Sequence, residues 1–143
     1  MLRIVVDTNI WIRALLGGKV SLPILTAFRE NKFNVIVSDE LMTELREVAQ
    51  RSRLSKRIDP LDTAELLALL AWYGESVTLS TIPPRCRDPK DHPVLATAID
   101  GHADAIVSGD DDLRADEELR KAMAEYGVQI WGVNSFIEML KNE

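Results

Sequence analysis

The sequence is short of the residues that cross-link a chain or anchor it in a membrane. Its one cysteine, Cys86, cannot form an internal disulfide, so a reducing cytoplasm is the expected compartment. With two histidines and one thiol, the chain also lacks the donors of a zinc cage. Its apolar runs fall far short of the roughly 20 residues that cross a bilayer. The order of a signal peptide is absent, because Asp7 interrupts the apolar run after Arg3. We therefore expect a soluble protein without a membrane partner.

Length and charge narrow the possibilities further. At 143 residues, 46% of them hydrophobic, the chain is long enough for one domain with a full core, and we expect a single domain over residues 1–143. The formal net charge is −6, from 23 acidic and 17 basic residues. Taken alone, this balance argues weakly against a nucleic-acid partner.

Short β-branched runs alternate with longer amphipathic patterns along the chain. Strands are predicted at 3–7, 34–37, 76–79, 105–108 and 128–131, and helices at 8–16, 21–31, 39–51, 61–73, 93–103, 116–126 and 133–140. The breaks at 17–20, 55–60 and 80–90 are expected to be irregular. Trp11, Trp72 and Trp131 fall in apolar patterns and are expected in the core. Strands and helices that alternate this regularly predict an α/β fold with a mostly parallel sheet of about five strands, covered on both faces.

Two aspartates are expected at the edge of this sheet where the strands end. Asp7 is the last residue of the first predicted strand, and Asp110 follows Ser108 at the end of the fourth. Ligands bind at that edge in open parallel sheets, because the loops there diverge without disturbing the core. Each aspartate also has a structural interpretation: Asp7 can cap the helix that follows, and Asp110 can belong to an acidic turn before the next helix.

Two further carboxylates are expected to reach the same edge from helices. Asp91 begins the stretch "DHPVLATAI", and a crossover helix runs antiparallel to the strands, so its start lies at their carboxyl ends. Capping is again the alternative. In "SDELMTELREV", Leu41, Leu45 and Val48 mark the buried face, and Glu44 lies on or beside it. Because helical side chains lean towards the N-terminus, the Glu44 carboxylate can reach back to the sheet edge.

Such a cluster of carboxylates requires a counterion. At an effective dielectric of about 20, two carboxylates roughly 5 Å apart repel each other by about 3 kcal/mol. A hard divalent cation with oxygen ligands, Mg²⁺ or Mn²⁺, would relieve that repulsion. The sequence therefore predicts a metal site formed by Asp7, Glu44, Asp91 and Asp110.

Together these motifs resemble the PIN domains, metal-dependent nucleases related in fold to the flap endonucleases. The resemblance rests on "VVDTN" after the first strand, the inward Glu44, "DHPVLATA", and "IVSGDDDL" after the fourth strand, and it covers nearly the whole chain. It implies a three-layer α/β/α sandwich that hydrolyses RNA phosphodiester bonds with Mg²⁺ or Mn²⁺. It also implies that the catalytic and metal-binding residues are Asp7, Glu44, Asp91 and Asp110.

The resemblance implies further roles around that quartet. Asn9 and Ser108 would orient ligands or water, and Asp112 is an additional candidate metal ligand. Asp88 is expected to cap a helix or to lie in a loop. The stretch "CRDPKD" resembles the branch of VapC-like toxin components of toxin–antitoxin pairs. That branch implies RNA as the substrate, a cognate antitoxin protein as a partner, and a homodimer.

Two basic runs bear on how an acidic chain would attract a polyanion. They comprise Arg46, Arg51, Arg53, Lys56 and Arg57, opposed by Glu47, and then Arg85, Arg87 and Lys90 before Asp91. Such runs either form a solvated surface or steer nucleic acid, because local potential rather than net charge guides a polyanion. Both interpretations remain open at this point.

Two other functions compete with the nuclease. A phosphoacceptor receiver domain also gathers aspartates and Mg²⁺ at this edge, but it needs an acidic pair after the first strand and a lysine ending the fifth. This chain has only Asp7 at the first position, and Gly132 follows Trp131. The non-enzymatic alternative is a PIN scaffold that only binds RNA or a protein. Such a scaffold would be expected to have lost a carboxylate, whereas all four are present.

Overall fold

Short strands alternate with helices along the chain, as the periodicity predicts. The computed structural model describes residues 1–86 and 88–142, without the side chains of Asp111 and Asp112. The strands are β1 (Arg3–Val6), β2 (Asn34–Val37), β3 (Glu75–Ser76), β4 (Ala105–Val107) and β5 (Gln129–Trp131). The helices are α1 (Thr8–Leu15), α2 (Leu22–Arg29), α3 (Asp39–Ala49), α4 (Ser52–Ser55), α5 (Pro60–Tyr73), α6 (His92–Asp100), α7 (Asp111–Ala115), α8 (Glu117–Glu125) and α9 (Val133–Lys141). A short 3₁₀ helix, Pro89–Asp91, precedes α6.

The strands form one sheet in which each pair of neighbours is parallel. Its five described strands have the order β3-β2-β1-β4-β5. Ile4 pairs with Val35 of β2 and Val5 with Ile106 of β4, and Ile106 in turn pairs with Ile130. The predicted α/β class with a parallel sheet is therefore confirmed.

Helices cover both faces of the sheet. On one face, Ile4, Val6, Val35 and Val107 pack into a core shared with α1, α2, α3, α5 and α9. On the other, Val5, Ile36, Ile106 and Ile130 pack mainly against α6 and α8. Successive strand residues point to opposite faces, so these Val and Ile runs serve both layers at once. Within the described residues, none of the helices combines the length and the apolar character that crossing a bilayer requires.

The strand order has a reversal point between β1 and β4. The chain leaves β1 towards β2 and β3 on one side, and then crosses back to β4 and β5 on the other. Loops that leave neighbouring strands in opposite directions open a crevice at their carboxyl ends. Asp7 follows β1 and Ser108 follows β4, so both lie at this crevice.

Three local predictions are wrong in detail. The third strand ends at Ser76 rather than at Leu79, because its partner β2 ends at Val37. The N–H of Val77 donates a hydrogen bond to the Val37 carbonyl, and β2 offers no further carbonyl beyond it. The short helices α4 and α7 and the 3₁₀ turn were not expected, since elements of three to five residues are too short to show a periodicity. The ends of the longer helices differ from the predictions by three residues or fewer.

The tryptophans do not share one environment. Trp11 is 3% exposed and packs on Phe28, as expected for the core. Trp131 is only partly buried, with its ring stacked at 6.3 Å from that of Phe136. The core prediction is wrong for Trp72, which is 82% exposed. Helix α5 packs through Leu66 and Leu70, and a residue two positions after Leu70 points about 200° away from it.

Candidate functional site

Backbone hydrogen bonds hold Asp7 and Ser108 side by side at the end of the sheet. The Asp7 N–H donates to the carbonyl of Val107 at 3.0 Å, and the Ser108 N–H donates to that of Trp131 at 3.0 Å. Both side chains are removed from solvent, with Asp7 6% exposed and Ser108 fully buried. The sheet thus fixes a buried carboxyl beside a buried hydroxyl.

The Ser108 hydroxyl connects two of the predicted site residues. It donates a hydrogen bond to Oδ2 of Asp7 at 3.1 Å. It also accepts one from the backbone N–H of Asp110 at 3.0 Å. A single hydroxyl therefore orients the Asp7 carboxylate and fixes the loop that carries Asp110.

Glu44 reaches the site from α3 through a contact with α1. The Thr8 hydroxyl donates to Oε2 of Glu44 at 3.1 Å. Glu44 is half-buried, as the sequence predicts, whereas Glu40 and Glu47 on the same helix are exposed. Thr8 directly follows Asp7, so this bond places the Glu44 carboxylate next to the end of β1.

Asp91 lies at the start of α6 and is also half-buried. The beginning of that helix is held by Thr97, whose hydroxyl donates to the carbonyl of Pro93 at 2.6 Å. The same hydroxyl shares a buried hydrogen bond with Ser38, at the start of α3, at 2.8 Å. The helices that carry Asp91 and Glu44 are thereby linked.

Helix capping accounts only in part for Asp7 and Asp91. Both occupy N-cap positions, of α1 and α6, and neither side chain makes a capping hydrogen bond of normal geometry. The backbone N–H groups of Thr8 and Asn9 nevertheless lie near enough to Asp7 to lower its pKa. Capping bonds are made instead by Asp59, Asp88 and Asp116, which accept backbone N–H groups at the starts of α5, the 3₁₀ turn and α8. The expectation that Asp88 is a cap is confirmed.

Burial raises the pKa of both Asp7 and Glu44. For Asp7 the largest cause is loss of solvent, partly offset by the Ser108 hydrogen bond, while the charge of Asp110 raises the pKa further. For Glu44, burial again comes first, the Thr8 hydroxyl opposes it, and the charge of Asp7 adds to it. Arg51 and Lys90 are close enough to lower the Glu44 pKa.

Asp91 is influenced by the charges of the other predicted site residues. Its pKa is raised to about 6, first by burial and then by the charges of Asp7, Asp110, Asp88 and Glu44. Asp91 therefore interacts with all three other members of the predicted quartet. A cavity of about 90 Å³ adjoins it, lined in part by Asp110, Cys86 and Asp116.

These residues fit a hard divalent cation in their chemistry. The donors are carboxylate oxygens, and burial raises the pKa of Asp7, Glu44 and Asp91, a penalty on the ionised forms that a bound cation would offset. Among the described side chains, which exclude those of Arg87, Asp111, Asp112 and Glu143, no three of His, Cys, Asp or Glu lie close enough to ligate one ion. Repulsion disfavours a closer approach of uncompensated carboxylates, and a bound cation would offset it. Asp112, the additional candidate ligand, has its side chain outside the described residues.

The remaining predicted residues lie around this centre. The Asn9 side chain is exposed, and its backbone N–H stabilises the ionised form of Asp7. The sequence did not pair Thr8 with Glu44, because nothing in a linear pattern relates two residues 36 positions apart. Of the basic runs, Arg51 and Lys90 adjoin the site, while Arg87 lies outside the described residues.

The order of the strands separates this chain from the receiver alternative. Receiver domains have the flavodoxin-like order 2-1-3-4-5. This sheet has the order 3-2-1-4-5 in the described residues, and Gly132 follows β5 where a receiver has lysine. The receiver interpretation is therefore set aside.

Comparison with known protein families identifies the family of this chain. The family model of the PIN domain matches residues 3–112, a span that contains Asp7, Glu44, Asp91 and Asp110. No curated protein matches the chain. PIN domains are generally nucleases that use divalent metal ions. The match extends over most of the sequence, from β1 into α7, and so the chain belongs to the PIN-domain family.

Proposed function

We propose that this protein is a Mg²⁺- or Mn²⁺-dependent endoribonuclease that hydrolyses RNA phosphodiester bonds. The observation that carries the proposal is that carboxylates from four segments converge at one edge of the sheet, where Asp7 is buried and the charges of its acidic neighbours help to raise the pKa of Asp91. A bound divalent cation would offset this repulsion, which helix capping alone does not explain.

The cation would be held by Asp7, Glu44, Asp91 and Asp110. A bound divalent cation lowers the pKa of a water molecule and neutralises the charge that develops on a phosphodiester during hydrolysis. Ser108 and Thr8 hold two of the carboxylates by hydrogen bonds before any ligand arrives. Such fixed geometry lowers the reorganisation that binding and reaction require.

The carboxylates also make the binding of RNA dependent on the cation. Without a cation, the acidic groups at this sheet edge repel a phosphodiester, so RNA should bind there more weakly until their charge is compensated. The reaction uses water and needs no 2′-hydroxyl as the nucleophile. The products should therefore carry 5′-phosphate and 3′-hydroxyl ends.

Positive charge beside the site reconciles the acidic chain with an RNA substrate. Arg51 and Lys90 lie close enough to Glu44 to lower its pKa, and both side chains are exposed. The net charge of −6 is thus unevenly distributed, with cations next to the carboxylates. Local positive potential of this kind attracts a polyanion even to an acidic protein.

The biological role that we propose is that of the toxin in a toxin–antitoxin pair. This rests on the resemblance of "CRDPKD", residues 86–91, to that branch of the family. A cognate antitoxin and a homodimer belong to the same proposal. Expression without and with the neighbouring reading frame tests it: growth should stop only without the neighbour, and the Asp7→Asn variant should be harmless. Growth arrest by Asp7→Asn would contradict it.

The nuclease proposal is tested by cleavage of a panel of structured and single-stranded RNAs with Mn²⁺ or with EDTA. Wild type should cleave only with Mn²⁺ and leave 5′-phosphate ends. Glu44→Gln should lose this activity, whereas Glu47→Gln, an exposed residue on the same helix, should retain it. Cleavage that persists in EDTA, or that Glu44→Gln retains in full, would overturn the proposal.

A further inference from the structure

Arg13 extends from α1 towards the loop that carries Asp110. Helical side chains lean towards the N-terminus, so its guanidinium returns to the sheet edge where α1 begins. It lies against Gly109: a Cβ at that position would be 2.6 Å from Nη1 and 3.5 Å from Cζ of Arg13. Gly109 stands between Ser108 and Asp110, so a cation lies directly beside the carboxylate site.

Glycine at position 109 allows the Arg13 guanidinium to approach the backbone closely, and it is not needed for a special backbone conformation. Its φ lies outside the left-handed region, unlike those of Gly17 and Gly127 at +80°. An alanine could therefore adopt the same backbone conformation, but its methyl group would displace the guanidinium. The absence of a side chain at Gly109 keeps the place open for Arg13.

Arg13 is exposed, and its guanidinium has no partner among the described residues. Within the described part of the chain it makes no hydrogen bond and no ion pair. Arg3 and Arg29, by contrast, are paired with Glu75 and Glu65. Its donors are thus available to a ligand at the edge of the site.

The chemistry of that ligand follows from the guanidinium. A planar guanidinium binds a phosphate through two parallel N–H···O bonds, an arrangement that a single ammonium cannot reproduce. Arg51 and Lys90 are close enough to Glu44 to lower its pKa, and Arg13 places positive charge beside Gly109, which precedes Asp110. Positive charge therefore lies near two different segments of the carboxylate site, where a nucleic-acid strand could contact it.

We propose that Arg13 binds a phosphate of the nucleic-acid strand. This phosphate would be the neighbour of the one that is cleaved at the carboxylates, so Arg13 would fix the position of the strand. This deepens the proposed nuclease function and rests on it. The competing role is structural: a cation in the last turn of α1 stabilises the helix dipole. The two roles predict different measurements.

Steady-state cleavage with Mn²⁺ separates them. Arg13→Gln should raise KM about tenfold, the effect of losing roughly 1.4 kcal/mol of binding, and change kcat less than twofold. Arg13→Lys should recover part of the loss. The matched control is Arg29→Gln, which also lies in the last turn of an eight-residue helix and should leave KM unchanged. Gly109→Ala should imitate Arg13→Gln, and the double variant should be no worse than Arg13→Gln alone.

A binding experiment without turnover tests Arg13 independently of the nuclease. Fluorescein-labelled single-stranded RNA is titrated in EDTA and followed by anisotropy at several salt concentrations. In a plot of log affinity against log salt, Arg13→Gln should reduce the slope by about 0.7, the contribution of one phosphate on a single strand. Circular dichroism and thermal unfolding of each variant confirm that it is folded.

The outcomes are distinguishable. If wild type cleaves RNA while Arg13→Gln keeps its KM and salt slope, or loses only thermal stability, the inference about Arg13 is wrong and the nuclease stands. If binding depends on Arg13 but wild type cleaves no RNA, the nuclease proposal fails and the phosphate contact stands. Absence of both binding and cleavage overturns both.

Discussion

The hydroxyl of Ser108 donates to Oδ2 of Asp7 at 3.1 Å, joining two residues that are 101 positions apart in the chain. The contact exists because β1 and β4 are neighbours in the sheet and end at the same edge. The same hydroxyl accepts the N–H of Asp110. The fold therefore builds one side of the site from two crossover loops and a single serine.

Replacing that serine should affect function more than stability. Ser108→Ala leaves the buried Asp7 carboxyl without this donor and should reduce the free energy of unfolding by about 1 kcal/mol. It should also raise the Asp7 pKa further and weaken Mn²⁺-dependent activity, because the carboxylate is no longer oriented. Ser21→Ala serves as the control, since Ser21 is also buried but lies at the N-cap of α2, after the end of α1 and away from the carboxylates. Equal activity in the two variants would contradict the positioning role of Ser108.

Divalent metal should stabilise the folded protein. The carboxylates raise one another's pKa, and a cation that relieves this interaction binds the native state alone. We expect millimolar Mn²⁺ to raise the melting temperature of wild type by several degrees, and that of Asp91→Asn by much less. Asp88→Asn, which changes a capping residue three positions away, should keep most of the shift. An unchanged melting temperature for wild type would argue against the metal site.

The pKa of Asp91 gives a pH dependence with a definite sign. Its folded pKa, about 6, is above the ordinary value of 3.8, so its protonated form favours folding. The contribution is complete below about 4 and is lost as pH rises through 6. In EDTA at pH 7.5, the free energy of unfolding of Asp91→Asn should exceed that of wild type by about 1 kcal/mol, a figure that allows for solvent screening of a half-exposed group. The gap should fall to roughly half by pH 5 and close near pH 4.

Saturating Mn²⁺ should reverse that comparison. The cation binds the ionised carboxylates, so wild type becomes the more stable protein at pH 7.5, and Mn²⁺ affinity falls as pH drops below 6. Urea unfolding at each pH, with EDTA and with Mn²⁺, supplies both comparisons. A gap between wild type and Asp91→Asn that does not change between pH 5 and 7.5 would contradict the assignment of Asp91 to the cluster.

The basic run after α3 should contribute long-range attraction. Changing Arg51, Arg53 and Arg57 together to glutamate should weaken RNA binding and flatten its salt dependence. The same reversal at Lys19, Lys32 and Lys141, which line a groove between α2 and α9, alters total charge equally and should have much less effect. Equal losses in the two triple variants would show that only net charge matters.

The sequence predicted the architecture because its local patterns and its packing agree. The runs 4–6 and 105–107 are rich in Val and Ile and are buried on both faces, as is typical of an internal parallel strand. The same order of elements brought Asp7, Asp91 and Asp110 to one edge. The inward direction of Glu44 followed from the stripe formed by Leu41 and Leu45.

What the sequence did not predict depends on long-range contacts. The third strand is short because its partner β2 ends at Val37, a limit that no property of residues 77–79 reveals. Trp72 is exposed because only one side of α5 meets the sheet, although apolar residues surround the whole helix. The Thr8–Glu44 bond and the approach of Arg13 to Gly109 likewise require the packed structure.

The central claim is that Asp7 holds a catalytic cation, and Asp7→Asn tests it most directly. Asparagine keeps the shape of the side chain but removes one negative charge from the site. The control is Asp59→Asn, because Asp59 caps α5 and asparagine caps a helix about as well as aspartate. Cleavage of single-stranded RNA is measured with Mn²⁺ for wild type and both variants. We predict that Asp7→Asn folds but loses activity by orders of magnitude while Asp59→Asn cleaves like wild type; cleavage by Asp7→Asn at the wild-type rate would contradict the account.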